Sequence, residues 1–168
     1  MSSYLPGQRI PDYEDNVNAF GPATVAGASP LWVNMANVDQ LEVLIQGKNG
    51  STVTGSAITL NQGKSNAGAN SKALSFTTYF AETDAQNTSV SSVPTLTNAT
   101  NSTFTTVATN TVAYTYRIPI KGAMLDVANG FSWLQVGAAN ATNTTLSIAY
   151  RAIQKYSGAA ANNPNLKA

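Results

Sequence analysis

The chain contains no cysteine and no histidine. Without Cys there is no disulfide framework and no thiolate metal site, so an oxidising compartment is neither required nor excluded. Without His, the Ser-His-Asp and Cys-His arrangements, His-ligated zinc and non-haem iron, and the usual general base near neutral pH all drop out. Charge is scarce as well. Charged residues make up 10% of the 168 positions, against a usual share of about a quarter, so the polar surface must be built from Thr, Asn, Ser and Gln. A net charge of +1 and nine scattered basic residues create no field that would gather nucleic acid or an anionic membrane. No apolar run reaches the roughly 18 residues of a membrane-crossing helix. The first residues lack a basic segment followed by an apolar one, so no secretory signal is expected and synthesis in a cytoplasm is. Gly63 and Gly68 open no helical pattern, which a phosphate-cradling loop requires.

What is present is alternation. Val112, Tyr114, Tyr116 and Ile118 share one parity of residues 111–120, and Leu146, Ile148, Tyr150 and Ala152 share one parity of 145–154. A strand sends successive side chains to opposite faces, so both runs read as half-buried antiparallel strands. Between them, Asn129-Gly130 supplies residues that tolerate positive φ just before the apolar run 131–136. Leu41 to Gln46 is apolar on both parities through its middle, as a strand covered on both faces would be. Further strands are expected at 52–54, 57–62, 73–80, where Leu74, Phe76 and Phe80 share a parity, and 104–109. Residues 82–102 are the longest stretch without a pattern and read as an ordered excursion over the surface.

About eight short strands, frequent turn signals and no helical periodicity imply an all-β fold, an antiparallel β-sandwich of jelly-roll type. Residues 1–30, broken by Pro and Gly, read as an extended N-terminal arm. Residues 31–156 form the sandwich, and 157–168 a C-terminal tail. The arm carries Tyr4, Leu5, Ile10, Tyr13 and Phe20, anchors against either its own domain or a neighbouring subunit. Arg117 and Arg151 fall on the parity opposite the apolar faces of two strands that could be neighbours, and are candidate subunit contacts because Arg is enriched in interfaces.

Catalysis would rest on carboxylates, with Glu42, Glu82 and Asp126 as the candidates. A glycosidase needs two of them at about 5–9 Å, and each is more simply a solvated edge or turn residue, so no enzyme is expected. Asp12, Glu14 and Asp15 lie near a turn without the loop pattern of a Ca²⁺ site, and no metal or cofactor is expected. Six Asn-X-Ser/Thr sequons accompany a composition rich in those residues and read as chance. Trp32 and Trp133 are expected in the core. Exposed in a row, aromatics would instead mark a glycan-binding module, with host glycans as the partner.

Trp32-Val-Asn-Met-Ala-Asn-Val-Asp, Ile58-Thr-Leu-Asn-Gln with a small-residue loop leading into Lys72-Ala-Leu-Ser-Phe, and Leu125-Asp-Val-Ala-Asn-Gly-Phe together resemble small virion proteins encoded among the head genes of tailed bacteriophages. The resemblance covers residues 32–153 and is to capsid decoration (cement) proteins. It implies a β-sandwich subunit on the outside of the capsid, commonly a homotrimer, whose partner is the major capsid protein. It brings no catalytic residues, and the 82–102 stretch matches none of its pattern. A tail or neck component is the structural alternative.

Overall fold

The computed structural model describes residues 14–24, 30–84, 95–99, 102–139 and 141–154. Tyr4, Leu5, Ile10, Tyr13, Asp12 and the tail 157–168 lie outside these residues.

Two antiparallel sheets pack face to face. The larger holds six strands: β1 (Glu14–Thr24), β3 (Val38–Asn49), β6 (Thr78–Asp84), β7 (Thr95–Asn98), β9 (Ala113–Lys121) and β11 (Thr144–Gln154), in the order β1-β11-β3-β9-β6-β7. The smaller has the order β2 (Val33–Asn34), β10 (Trp133–Ala138), β4 (Ala57–Gly63), β5 (Lys72–Ala73). In it β8 (Thr103–Thr105) also pairs with β4, at Ala57–Thr59, while β5 pairs at Asn61 and Gln62. With β10 on the other side of β4, β5 and β8 lie end to end along one edge and act as a single split strand.

That arrangement is a jelly roll with an addition. The first strand lies beside the last, the last beside the third, and the third beside the strand that follows the split one. The opposite sheet alternates in the complementary way, as two nested Greek keys require. Between the halves of the split strand, the chain leaves the small sheet and adds the hairpin β6–β7 to the large one.

The alternation read in the sequence decides which face is inside. Leu41, Val43 and Ile45 of β3, Tyr114, Tyr116, Ile118 and Ile120 of β9, and Leu146, Ile148, Tyr150 and Ala152 of β11 face the small sheet and are buried. Ile58, Leu60, Leu134 and Val136 meet them from the other side. Gly47 of β3 stands directly opposite Tyr114, whose ring lies over the place where a Cβ would be. Gly130, at φ 82°, closes the second of two 3-10 turns (Gly122–Met124 and Val127–Asn129) that lead into β10. Among the described residues there is no α-helix, and none long and apolar enough to cross a membrane.

Several expectations change. Among the described residues the strands number eleven, where about eight were expected. The sandwich already includes Glu14–Thr24, ahead of residue 31, because Val17 and Ala19 are buried and β1 pairs with β11 from Glu14 to Thr24. The Pro and Gly signals of that region mark an irregular edge strand: its register shifts on either side of Phe20, and Gly21-Pro22 follow, features that blunt an edge. Residues 52–54 form no strand, with Thr52 at φ 56°. Of 104–109 only the start is strand; the rest crosses toward β9.

The expected strand at 73–80 is broken. Leu74 and Phe76 enter the core where the chain passes between the sheets, and this crossing resets the parity. In β6 it is Tyr79 that turns inward, stacking on Phe104 at 4.0 Å, and Phe80 turns outward. The patternless stretch 82–102 supplies the end of β6, β7 and the approach to β8; its residues 85–94 lie outside the described ones.

Burial of three phenols fixes a pH dependence. Tyr114, Tyr116 and Tyr150 have raised pKa values because burial disfavours the phenolate, with Tyr114 pushed up to about 12. In the unfolded chain each ionises near 10. A folded-state pKa above the unfolded one stabilises the fold fully below pH 10 and loses that contribution as pH rises toward the folded value. Stability should therefore decline from pH 10 upward, by about 1.4 kcal/mol at pH 11 for each phenol that stays neutral. Urea unfolding followed between pH 8 and 11 checks this; a flat profile would contradict it.

Candidate interaction surface

The outward face of the six-stranded sheet presents side chains that the core does not use. Its level is set by register: Ala149 of β11 stands opposite Leu44 of β3, Leu44 opposite Arg117 of β9, Arg117 opposite Phe80 of β6, and Phe80 opposite Leu96 of β7. An apolar row thus crosses five strands, interrupted by one guanidinium. Ala149, Leu44 and Phe80 are half-buried and Leu96 is 58% exposed. On the next level, Arg151, Glu42 and Pro119 stand abreast. Beyond them, Ile153, Pro119, Lys121 and Met124 line a shallow groove of about 340 Å³ with Glu42 and Arg151.

A half-solvated antiparallel sheet normally places polar residues on its outer face. This one carries aliphatic and aromatic side chains at its centre. The double-parity apolar pattern of residues 41–46 suggested a strand covered on both faces, yet Leu44 is only half-buried. Its inner neighbours Val43 and Ile45 are completely buried.

The structure brings some of the candidates together. Arg117 and Arg151 do point outward on the same sheet, but their strands are not adjacent; β3 runs between them and places Glu42 directly opposite Arg151. Phe20, offered as a subunit contact, is half-buried against the chain's own core, opposite Ile148. Leu44, Phe80, Leu96 and Glu82 lie on the same face; of these only Glu82 had been singled out, as a carboxylate candidate. Leu44 was visible as the extra apolar residue of an alternating run. Phe80 was hidden by the broken strand.

The three carboxylates do not converge. Glu42 and Glu82 lie two strands and four residues of register apart on the open outer face, roughly 16 Å from strand spacing and rise, beyond the span a glycosidase pair needs. Asp126 sits between the 3-10 turns, where Lys72 Nζ approaches it at 2.5 Å and Asn129 donates to both its oxygens at 2.9 Å. The hydrogen bonds from Lys72 and Asn129 hold its carboxyl below the usual range, so it stays ionised. Lys72 also lies 4.3 Å from the Phe131 ring centroid. Among the described residues no group of His, Cys, Asp and Glu could hold a metal ion.

Trp32 and Trp133 are half-buried rather than core residues. The Trp32 ring covers Gly63 and Gly68 so closely that a Cβ on either would stand within 3 Å of it, and Trp133 stands across from Asn34 and Gly63.

No protein-family model matches the chain, and neither does a curated protein or a solved structure.

Proposed function

We propose that this protein is a non-catalytic structural subunit of a virion, a capsid decoration protein of jelly-roll type that holds its place through non-covalent contacts between broad surfaces. The observation that carries this reading is the apolar row Leu44, Phe80 and Leu96 on a sheet face that stays rigid because all its strands are hydrogen-bonded into one antiparallel ladder. Contiguous apolar surface on a rigid face is the usual mark of a protein contact. A low density of surface charge supports dense packing of neighbours, since little repulsion must be overcome. The resemblance of residues 32–153 to decoration proteins supports the virion setting and the major capsid protein as a partner.

The arm is narrowed by the fold. Residues 14–24 belong to the sheet, so only Tyr4, Leu5, Ile10 and Tyr13 remain as anchors toward another subunit. An arm that orders on docking loses conformational entropy, which its apolar anchors must offset. Two measurements test the proposal. Mass spectrometry of purified particles from producing cells should find the chain in stoichiometric amount, and its absence from particles would refute the reading. The variant lacking residues 1–13 should keep the melting temperature of the full chain yet bind capsid shells at least about tenfold more weakly; unchanged binding would remove the arm from the account.

A further inference from the structure

The smaller sheet has an outer face of its own, and its chemistry differs from that of the larger one. Leu134 and Val136 of β10 and Ile58 and Leu60 of β4 point inward and are buried. Alternation therefore turns Trp133 and Gln135 of β10 and Thr59 and Asn61 of β4 outward. Register sets them in rows: Trp133 stands between Asn34 and Gly63, Gln135 opposite Asn61, and Thr59 opposite Thr103 of β8. Among the described residues, no outward position of this sheet carries a charge. The six-stranded sheet, by contrast, sends out Glu42, Lys48, Glu82, Arg117, Lys121 and Arg151. Two lysines close the Trp133 end of the smaller face. Lys64 directly follows β4, and Lys72 pairs with the inward Gln62. Both place their ammonium groups over the Phe131 ring, at 5.1 and 4.3 Å from its centroid, and Lys72 is also paired with Asp126.

Both tryptophans of the chain belong to this end of the face. The Trp32 ring lies where an outward side chain at Gly63 would stand, 2.9 Å from the place of its Cβ, and 2.5 Å from that of Gly68. Gly63 is also the cross-strand partner of Trp133. Each indole is half-buried, which leaves part of its ring to solvent. A ring laid against glycine backbone is fixed before any ligand arrives, so little ordering cost remains to be met on binding. The amides are held in a similar way. Gln135 Nε2 donates to the Pro30 carbonyl at 2.6 Å, and Asn34 Oδ1 accepts from the Ala36 N–H at 3.0 Å. Each is oriented by one atom and keeps the other, and Asn61 has no side-chain partner among the described residues.

These groups suit one kind of ligand. The negative face of an indole attracts the C–H edges of a pyranose ring, and side-chain amides both donate to hydroxyls and accept from them. A face without charge gains nothing from an ionic ligand, whose hydration would be lost uncompensated. Extent decides between a sugar and a protein. From Trp133 to Gly137, and across from β2 to the split strand, the face measures about 14 Å each way, roughly 200 Å². A protein partner covers about 800 Å² per side; a short oligosaccharide needs no more than is here. We propose that the outer face of the smaller sheet is a binding site for a neutral glycan, with Trp32 and Trp133 as stacking platforms and Asn61 and Gln135 as hydrogen-bonding groups. The site lies on the side of the sandwich away from Leu44, Phe80 and Leu96, so it adds to the structural role and does not depend on it.

With no other tryptophan in the chain, intrinsic fluorescence reports on this face alone. The full chain is titrated with neutral oligosaccharides of glucose, mannose, galactose and N-acetylglucosamine, and with alginate and heparin fragments as the acidic arm. At least one neutral series should give a saturable change that persists when ionic strength rises from about 0.05 M to about 0.5 M. Trp133→Ala should weaken that binding at least about tenfold, and Asn61→Ala at least about threefold. Leu96→Ala, on the opposite sheet, should leave it unchanged. Circular dichroism confirms that each variant is folded, and Asn61→Ala carries the test if Trp133→Ala is not. Silence toward every neutral series, a response confined to acidic fragments and abolished by salt, or equal binding by the parent and the folded variants of this face would each overturn the proposal. So would a fluorescence change that follows protein concentration without sugar, since a second copy would then be the occupant. The two functions fail separately: a chain that binds sugar but is absent from particles refutes the virion role alone, and a particle-bound chain indifferent to sugar refutes the glycan site alone.

Discussion

Replacing Tyr150 by alanine is expected to destabilise the protein by about 5 kcal/mol, and replacing it by phenylalanine by about 3 kcal/mol. The ring is completely buried between the sheets, and the hydroxyl connects two backbone groups. It accepts from the Val136 N–H at 3.1 Å and donates to the Leu31 carbonyl at 3.0 Å. Both needs arise from the shortness of β2, which pairs with β10 only at Trp133 and Leu134. Past that point β10 has no neighbouring strand on that edge among the described residues, and Tyr150 reaches across from β11 to fill it. The phenylalanine variant strands a buried donor and an acceptor, each costing about 1–3 kcal/mol. Alanine adds the cavity left by the ring.

The same substitution at Tyr114 should behave differently. Its buried hydroxyl has no well-formed hydrogen bond, and its nearest polar neighbour, the Thr106 hydroxyl, keeps the hydrogen bond it accepts from the Ser56 N–H at 2.9 Å when the Tyr114 oxygen is removed. Tyr114→Phe removes a desolvated polar group and leaves nothing unsatisfied, so the variant should be as stable as the parent or slightly more so. Chemical denaturation of the three variants in parallel checks the pattern. Equal losses from Tyr150→Phe and Tyr114→Phe would show that hydroxyl partnership is not the deciding variable.

Gly47→Val should cost about 3 kcal/mol, at the upper end of what overpacking costs. Gly47 lies inside β3 with β11 on one side and β9 on the other, so its backbone cannot move away without breaking two ladders. The Tyr114 ring occupies the space a side chain would take, and that ring is held by contact with Tyr116 at 5.3 Å between centroids. The loss should shrink when the ring is absent. In the Tyr114→Ala background, Gly47→Val should cost less than in the parent by at least about 1 kcal/mol, because the two positions share one volume. Strict additivity of the two changes would mean that the ring is not what excludes a side chain at 47.

The reading of the sequence succeeded wherever a single uninterrupted strand carried its own evidence. β9 and β11 were legible from Tyr114, Tyr116, Ile118, Ile148 and Tyr150, because a two-residue period with one buried face is a purely local property. The outward direction of Arg117 and Arg151 followed from the same parity. The reading failed where two segments exchange roles over a distance. Phe80 was assigned with Leu74 and Phe76 because the crossing between sheets at 74–77 leaves no local mark. The edge strand β1 was read as an arm because Gly21 and Pro22 signal a break equally well in a loop and in a bulged edge.

Composition and alternation, then, were enough to determine an all-β chain with few charges and no histidine, and to say which side of β9 and β11 is buried. Which strands become neighbours was decided only by the tertiary structure. Register sets Glu42 beside Arg151 and one diagonal step from Arg117, and the β6–β7 hairpin carries Glu82 and Phe80 onto the same face. The physical reason is that side-chain period is a property of a few consecutive residues, whereas the order of charges across a sheet depends on pairing between segments far apart in the chain.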